Sequence, residues 1–191
     1  AATPAFHAVA DQTVAEGQPL SFIVIASDAD ADLQALAVGT LPLGASFTLL
    51  GDLTGDGQWT QADIDALIPL LFRTPTEQEW IIGDLDGDGR IAANDLTALS
   101  LVIANTRRYG RLQWTPDFTQ AGRYPITFTA TDCQTSVPRT VTVTVTPVNR
   151  APIANAGPDQ TQVAGTLVTV NGSGCTDPDG DLLTYRWTQV G

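Results

Sequence analysis

The sequence predicts a mainly β protein, in which a two-sheet sandwich is interrupted by a small α-helical insert and followed by part of a second β-domain. Before residue 50 and after residue 107, apolar residues recur at every second position along short stretches, which indicates strands. Between Gly51 and Arg107 the apolar spacing changes to three and four residues, which indicates helices. Apolar residues make up 43% of the 191 residues, as expected for a chain with packed cores.

The predicted sandwich is built from two separated parts of the chain. The segment 20–27 predicts a strand packed mainly on one face. Its residues alternate between one set, Leu20, Phe22, Val24 and Ala26, and another, Ser21, Ile23, Ile25 and Ser27. Further strands are predicted at 36–38, 46–49, 111–114, 124–131 and 140–146. Segments 1–49 and 108–148 together have about 90 residues, close to the size of one immunoglobulin-like sandwich. We therefore expect one discontinuous domain around an insert of residues 50–107.

The insert is expected to contain two amphipathic helices and a short connecting helix. Each amphipathic helix has one apolar face, formed by Ile64, Leu67, Ile68 and Leu71 in the first and by Leu96, Leu99, Val102 and Ile103 in the second. Thr76 and Glu79 form a capping-box pattern after Pro75, which predicts the start of the connecting helix.

Two twelve-residue loops, 52–63 and 84–95, repeat one pattern within the insert. Oxygen-bearing side chains stand at positions 1, 3, 5 and 12 and glycine at position 6, as in an EF-hand loop around a hard cation, and position 7 contributes its backbone carbonyl. The predicted ligands are Asp52, Thr54, Asp56, Gln58 and Asp63 in the first loop, and Asp84, Asp86, Asp88, Arg90 and Asp95 in the second. The pattern predicts two Ca²⁺ ions, and the neutral Thr54 predicts weaker binding in the first loop. The alternative, a pair of turns without metal, leaves converging carboxylates to repel one another.

Features around the loops resemble a dockerin module. Glycine precedes each loop at positions 51 and 83, and aspartate rather than glutamate stands at position 12. The resemblance implies calcium-dependent helices that bind a cohesin domain through loop positions 10 and 11, which are Gln61, Ala62, Ala93 and Asn94. The hydroxyl pair common at these positions in dockerins is absent, Pro69 falls inside the first helix, and the module is tied at both ends. Two hypotheses remain. One is cohesin binding, and the other is a structural calcium clasp, that is, bound calcium that keeps the insert folded.

The rest of the chain also resembles known families. Segments 14–22, 26–30, 41–47, 112–116, 120–122 and 128–132 resemble the putative Ig/cadherin-like family of bacterial surface proteins, and this resemblance implies that the insert occupies a hairpin loop. Residues 149–153 form an expected linker, and residues 154–191 resemble the first half of a PKD-type Ig-like domain. That half is expected to supply three strands, whose apolar face and open edge need cover from the rest of the domain or from another chain.

Two Asp-x-Asp-x-Asp runs and two cysteines leave alternatives open. The runs at residues 28–32 and 177–181 resemble those with which cadherin-like domains bind calcium between domains, together with a linker asparagine such as Asn149. They are also ordinary polar turns, so further inter-domain ions stay one of two hypotheses. Cys133 and Cys175 either form a disulfide, as is common outside the cell, or remain free thiols.

Composition excludes several classes of function. The net charge of −12, with nine arginines and no lysine, argues against nucleic-acid binding, and no apolar run reaches the length of a membrane span. With one histidine and no nucleophile or phosphate-loop motif, we expect no enzymatic activity. The sequence favours an extracellular structural or adhesive protein of a bacterial surface: a fibre or stalk subunit that contacts other copies or neighbouring Ig-like domains. A cohesin-binding anchor and a carbohydrate-binding module are the alternatives. Calcium removal is expected to unfold residues 51–107 and to leave the sandwich largely intact.

Overall fold

The computed structural model describes residues 2–189 and contains eight strands among them. In chain order they are β1 (Ala5–Phe6), β2 (Gln12–Ala15), β3 (Leu20–Ser27), β4 (Ala35–Val38), β5 (Ser46–Leu49), β6 (Arg107–Trp114), β7 (Gly122–Thr131) and β8 (Ser136–Thr146). One four-stranded sheet has the order β1-β3-β6-β5 and the other the order β2-β8-β7-β4. All neighbouring strands pair antiparallel except β2 and β8, which are parallel. The predicted mainly β, two-sheet architecture is confirmed.

The sandwich core lies between the inner faces of the two sheets. Val24 of β3, Phe128 of β7 and Val143 of β8 are completely buried in it. The Phe128 ring packs against Phe22 and Phe47 of the other sheet, with centroid separations of 6.3 and 5.4 Å. These contacts join strands that are far apart in sequence, so the segments before and after residue 50 share one core.

Strand β6 begins at Arg107, four residues earlier than the sequence predicted. It pairs with β3 along the whole of β3, from Leu20 opposite Trp114 to Ser27 opposite Arg107. The prediction was short because the arginines at this end of β6 indicate an exposed loop in the sequence. In the structure Arg108 and Arg111 are instead buried.

The segment between β5 and β6, residues 50–106, is called the helical insert below. It contains α1 (Gln61–Leu67), a 3-10 turn (Ile68–Phe72), α2 (Glu77–Gly83) and α3 (Ala93–Ile103). The predicted capping box of Thr76 and Glu79 begins α2, as expected. The predicted apolar face of the first helix is wrong beyond Leu67: Ile68 is 41% exposed and Leu70 is buried instead. Pro69 lies at the start of the 3-10 turn, where the number of residues per helical turn falls from 3.6 to 3.

The helical insert packs on the outer face of the β1-β3-β6-β5 sheet. A second hydrophobic core joins Leu67 and Leu99 of the insert to Tyr109 of β6 and to Ile23 and Ile25 of β3. The expectation that β3 packs mainly on one face is therefore wrong, because the sandwich covers one face and the insert covers the other. The insert and the sandwich fall within one compact unit, residues 1–147.

The second compact unit comprises residues 148–191, of which 190 and 191, like residue 1, lie outside the described residues. Within 148–189 the only β-pairing is an isolated bridge between Ile153 and Thr176, so the three expected strands do not form there. Trp187 is 49% exposed in this unit. Other apolar side chains of this unit are also exposed, namely Ile153, Val163, Leu167, Val168, Val170, Leu182 and Tyr185. A strand forms stably only when neighbours pair with it and cover its apolar face.

No helix among residues 2–189 has the length and apolar character that crossing a bilayer requires.

Candidate calcium centres

The second loop (residues 84–95) brings three of its predicted ligands together. One carboxylate oxygen each from Asp84, Asp86 and Asp95, at positions 1, 3 and 12, lies within 4.8 Å of the other two. Asp84 is 1% exposed and Asp95 is completely buried, whereas Asp86 is exposed. Converging carboxylate oxygens with little access to water are the donor set that Ca²⁺ prefers, so these residues fit the predicted ion.

Backbone N–H groups hold the carboxylates of the second loop in place. Asp84 Oδ1 accepts the N–H of Gly87 at 2.8 Å, and Oδ2 accepts that of Gly89 at 3.3 Å. Asp95 Oδ1 accepts the N–H of Leu85 and Oδ2 that of Ala92, both at 2.8 Å. Position 12 therefore caps α3 with one oxygen and reaches back to the start of the loop with the other.

The first loop (residues 52–63) has the same convergence with a hydroxyl at position 3. Thr54 Oγ1 lies 3.1 Å from Asp63 Oδ1 and 3.5 Å from Asp52 Oδ1. Asp63 is completely buried, as Asp95 is, but Asp52 is half-buried where Asp84 is buried. Positions 1, 3 and 12 thus meet in both loops, and the first loop is the more open of the two.

Positions 5 and 7 are exposed in both loops and are linked by the same hydrogen bond. The N–H of Gln58 donates to Asp56 Oδ1, and the N–H of Arg90 donates to Asp88 Oδ1, each at 2.8 Å. This local turn orients position 5 but does not place it in the group of converging oxygens. The ligand role of these four residues stays a prediction.

The electrostatics of the second loop favour a cation. Burial raises the pKa of Asp95 above its usual value, and the nearby negative charge of Asp86 adds to this effect, while N–H groups of Ala92, Leu85 and Asp86 oppose it. The ionised form of Asp95 is thus disfavoured where it lies. A divalent cation among the three carboxylates would offset both effects, because a nearby positive charge favours the ionised form.

Two arginines of β6 that sequence reasoning missed hold the insert against the sandwich. Arg111 forms a buried ion pair with Asp84 at 2.9 Å, and its guanidinium lies 4.7 Å from the centre of the Trp80 ring. Arg108 lies 4.8 Å from the centre of the Trp59 ring and donates to the backbone oxygen of Val102 at 2.9 Å. The signal in the sequence was the group of three arginines that immediately follows the insert.

A third acidic cluster lies in the sandwich where β3 and β7 end. Asp28, Asp32 and Asp132 each contribute a carboxylate oxygen within 4.8 Å of the other two. Asp28 is 5% exposed, and its Oδ2 has no hydrogen-bond partner among the described residues; the same holds for Oδ1 of Asp32. The sequence pattern pointed to Asp28, Asp30 and Asp32, but Asp132 takes the place of Asp30 in the cluster. Asp132 stands 100 residues further along the chain, so no local pattern links it to the run.

Asp132 is held in its ionised form by local donors. The backbone N–H groups of Thr135 and then Gln134 lower the pKa of Asp132 below its usual value. The thiol of Cys133 donates to Asp32 Oδ2 at 3.3 Å, and this bond raises the pKa of Cys133. Cys133 and Cys175 are both free thiols in this structure.

The second aspartate run, in the unit of residues 148–191, is engaged differently. Asp179 forms an ion pair with Arg150 at 2.8 Å and also accepts the backbone N–H of Arg150. Asp177 Oδ1 accepts the N–H groups of Asp179 and Asp181. No converging group of three acidic side chains forms at these positions within 148–189.

The four residues expected to face a cohesin are all exposed, namely Gln61, Ala62, Ala93 and Asn94. Gln61 donates to Asp65 in α1, and the amide of Asn94 donates to Asp86 of the second loop.

Two family models match parts of the chain. Residues 99–146 are similar to a family described as putative Ig domain, and residues 149–189 to one described as PKD domain. No curated protein matches this sequence. The first match covers β6, β7 and β8 of the sandwich, and the second covers the unit after the linker.

Solved structures that match part of this chain include three bacterial surface proteins. The SrpA adhesin from Streptococcus sanguinis has 11% identity and a TM-score of 0.36, with 78% of this chain and 62% of that chain covered. The sialic acid binding region of a Streptococcus sanguinis SK1 adhesin has 11% identity and a TM-score of 0.41, with coverages of 78% and 32%. Domains 4–9 of the surface layer protein SbsC have 13% identity and a TM-score of 0.31, with coverages of 82% and 16%. This chain therefore spans less than two thirds of each of these structures, and TM-scores below 0.5 carry no conclusion about its function.

Proposed function

We propose that this chain is a non-enzymatic, extracellular structural or adhesive segment of a bacterial surface protein, in which calcium fastens a helical insert onto an Ig-like sandwich. The observation that carries this proposal is the convergence of Asp84, Asp86 and Asp95 in a loop that is ion-paired to the sandwich. Similarity to Ig and PKD domain models supports a structural rather than a catalytic role.

Two calcium ions would be held by the paired loops of the insert. The second loop offers Asp84, Asp86, Asp88 and Asp95 with the backbone carbonyl of Arg90, and the first offers the equivalent positions with Thr54 in place of one carboxylate. When bound, calcium supplies positive charge that relieves repulsion among these oxygens. The chain itself contributes the N–H groups that orient position 1 and the burial of position 12.

A structural role for the insert is supported by what it covers. Ile23, Ile25 and Tyr109 belong to the sheet, yet their outward side chains pack in the core of the insert. A binding module that is free to engage a partner does not need to share a core with its neighbour. Calcium in the insert would therefore stabilise the sheet beneath it.

The calcium test compares thermal unfolding of the whole chain in excess calcium and in EDTA. We expect calcium to raise the unfolding midpoint and magnesium at equal concentration to raise it less, because Mg²⁺ demands a smaller octahedral site. An unfolding midpoint that is the same in calcium and in EDTA contradicts the proposed role of the loops.

A third cation is proposed at Asp28, Asp32 and Asp132. Two buried carboxylate oxygens without hydrogen-bond partners among residues 2–189 support this site, because a buried polar atom is rarely left without a partner in a protein interior. Replacing Asp28 and Asp132 by asparagine should remove one ion from the calcium stoichiometry of the folded chain. An unchanged stoichiometry in a folded variant would show that the cluster does not bind the ion.

The fibre or stalk role rests on the unit of residues 148–191. Leu167 and Leu182 are 89% and 100% exposed in this unit, so its apolar side chains need cover from residues outside it. We propose that a strand from a neighbouring chain or Ig-like domain provides this cover by pairing with a segment of this unit. Sizing and electron microscopy in calcium test this directly: oligomers or filaments are expected, and a clean monomer at high concentration contradicts strand completion between copies.

Cohesin binding is the second candidate, and one observation favours it. Gln61, Ala62, Ala93 and Asn94 lie exposed at the start of α1 and α3, as a docking surface requires. Saturable, calcium-dependent binding to a panel of purified cohesin domains, lost when Ala62 and Ala93 are replaced by arginine, would support this candidate. Absence of binding across the panel leaves the clasp as the function of the insert.

A further inference from the structure

Arg111 belongs to the sandwich, yet it reaches the first residue of the second loop. Its Nη2 donates to the backbone oxygen of Asp84 at 2.5 Å and to Asp84 Oδ2 at 2.9 Å. The side chains of Arg111 and Asp84 are only 2% and 1% exposed. A single arginine thus connects the outer face of β6 to a predicted calcium ligand.

The two oxygens of Asp84 are used differently. Oδ2 accepts from Arg111 and from the N–H of Gly89, while Oδ1 accepts the N–H of Gly87. Each carboxylate oxygen has two lone pairs, so Oδ1 keeps one for a cation. Arg111 and a calcium ion can therefore bind the same carboxylate at once, on different oxygens.

The first loop has no equivalent of Arg111. Asp52 accepts the N–H groups of Gly55 and Gly57, which match those of Gly87 and Gly89, but no ion pair among the described residues involves it. The second loop has four carboxylates and contacts the buried guanidinium of Arg111, whereas the first loop has three carboxylates. In net charge, Arg111 therefore offsets the additional carboxylate of the second loop, Asp86.

We propose that Arg111 is a positioning residue of the second loop, which replaces part of the charge of a cation at low calcium and lowers the affinity of the loop for calcium. This inference rests on the proposed calcium function. At low calcium the buried ion pair and hydrogen bond with Arg111 keep Asp84 in place, so the second loop stays docked on the sandwich. When calcium binds, it meets a ligand that is already oriented but also a positive charge close by, which weakens binding.

Thermodynamic linkage gives the direction in which Arg111 changes the calcium affinity. Without Arg111, Asp84 is a buried carboxylate with no counter-charge in the calcium-free protein, which is strongly destabilising. Calcium supplies the missing charge, so the calcium-bound protein loses less stability. A residue whose removal costs more without calcium than with it must, by reciprocity, lower calcium affinity while it is present.

The test compares Arg111→Gln with Arg108→Gln as a matched control. Arg108 lies on the same strand, is also buried and also contacts a tryptophan ring, but its side-chain partners are backbone oxygens and Asn105 rather than a carboxylate. We expect Arg111→Gln to lower the unfolding midpoint more in EDTA than in calcium, and to raise the calcium affinity of one site by about tenfold. Arg108→Gln should lower both midpoints alike. Equal losses for Arg111→Gln in the two conditions, or a calcium affinity that falls, would overturn the proposal.

A second variant covers the case in which Arg111→Gln does not fold without calcium. The double variant Asp84→Asn with Arg111→Gln removes both charges, so it should be more stable in EDTA than Arg111→Gln alone. A double variant that is equally unstable would show that Arg111 acts through packing on Trp80 and not through Asp84. This comparison is made without calcium. It therefore tests the pairing even if the wild-type chain binds no calcium, a result that would overturn the proposed function separately.

Discussion

The two loops of the insert share a hydrogen-bond pattern and differ in what lies behind position 1. In both loops, position 1 accepts N–H groups from positions 4 and 6. Behind Asp84 lies a buried arginine of the sandwich, whereas Asp52 is half-buried without an ion pair among the described residues. The repeat in the sequence thus specifies the shared hydrogen-bond pattern, and the contact with the sandwich makes the two copies unequal.

This comparison also changes the expected response to calcium removal. The sequence suggested that residues 51–107 unfold as a unit and leave the sandwich intact. Because Ile23, Ile25 and Tyr109 pack in the core of the insert, the two parts are energetically coupled. We now expect the first loop to loosen first, and the sandwich to lose stability with the insert.

Asp84→Ala should lower the free energy of unfolding more than Asp52→Ala, and we expect this to be the largest of the differences between the two loops. Both changes remove the same two N–H contacts, but only Asp84→Ala also leaves a buried arginine without its carboxylate partner. Breaking a buried ion pair costs about 3–5 kcal/mol, whereas losing exposed hydrogen bonds costs about 1 kcal/mol each. Urea unfolding in EDTA, followed by tryptophan fluorescence, measures both free energies of unfolding. Equal losses of the free energy of unfolding in the two variants would contradict the proposed difference between the loops.

Hydrogen exchange of the wild-type chain compares the helices that follow the loops. We expect EDTA to reduce the protection of α1, after the first loop, about tenfold more than that of α3, because α3 buries Ala98, Leu99 and Val102 in the shared core and α1 buries only Leu67 there. Amide exchange read by mass spectrometry in calcium and in EDTA gives both values. A larger loss in α3 would reverse the proposed order.

The glycines at position 4 of the loops offer a matched pair with a smaller effect. Gly55 and Gly87 both have positive φ, at +74° and +80°, so alanine costs about 1 kcal/mol at either position. A Cβ at Gly87 would lie 2.9 Å from Cδ1 of Ile23 on β3, whereas a Cβ at Gly55 meets nothing within 4 Å. Gly87→Ala should therefore lower the free energy of unfolding more than Gly55→Ala. The excess should disappear in an Ile23→Ala background; if it persists, the second loop does not lie against β3.

The smallest expected effect concerns α2, which leads into the second loop. The hydrogen bond with Arg73, followed by the N–H of Thr76, lowers the pKa of Glu79 from 4.5 to about 2. The contribution of ionised Glu79 is therefore present above pH 4.5 and is lost as the pH falls towards 2. Relative to Glu79→Gln, the wild-type chain should be more stable at pH 7 and lose that advantage between pH 4.5 and 2. Unfolding midpoints across this range check it, and a constant difference would show that Glu79 acts without its charge.

Much of this architecture could be predicted because it depends on local patterns. Alternation located the strands, and the capping box of Thr76 and Glu79 located the start of α2. The loop spacing brought together positions 1, 3 and 12, whose oxygens converge in both loops. These features arise from residues within about twelve positions of one another, where spacing fixes geometry.

The features that sequence reasoning missed depend on contacts between distant residues. Arg111 pairs with Asp84 from 27 positions away, and Asp132 joins Asp28 from the far end of another strand. The outward face of β3 did not look like a core because Ser21 and Ser27 share that face with Ile23 and Ile25. The resemblance predicted three strands after residue 153, but within 148–189 only the isolated bridge between Ile153 and Thr176 forms.

Calcium binding by the two loops is tested most directly by a stoichiometry. The number of calcium ions bound by the wild-type chain is compared with the number bound by the double variant Asp63→Asn with Asp95→Asn. These substitutions neutralise position 12 of each loop and leave the cluster of Asp28, Asp32 and Asp132 unchanged. Equilibrium dialysis with folded protein, checked by circular dichroism, gives both stoichiometries. We expect the double variant to bind two ions fewer than the wild-type chain. Equal numbers of bound ions in the two proteins would contradict this expectation.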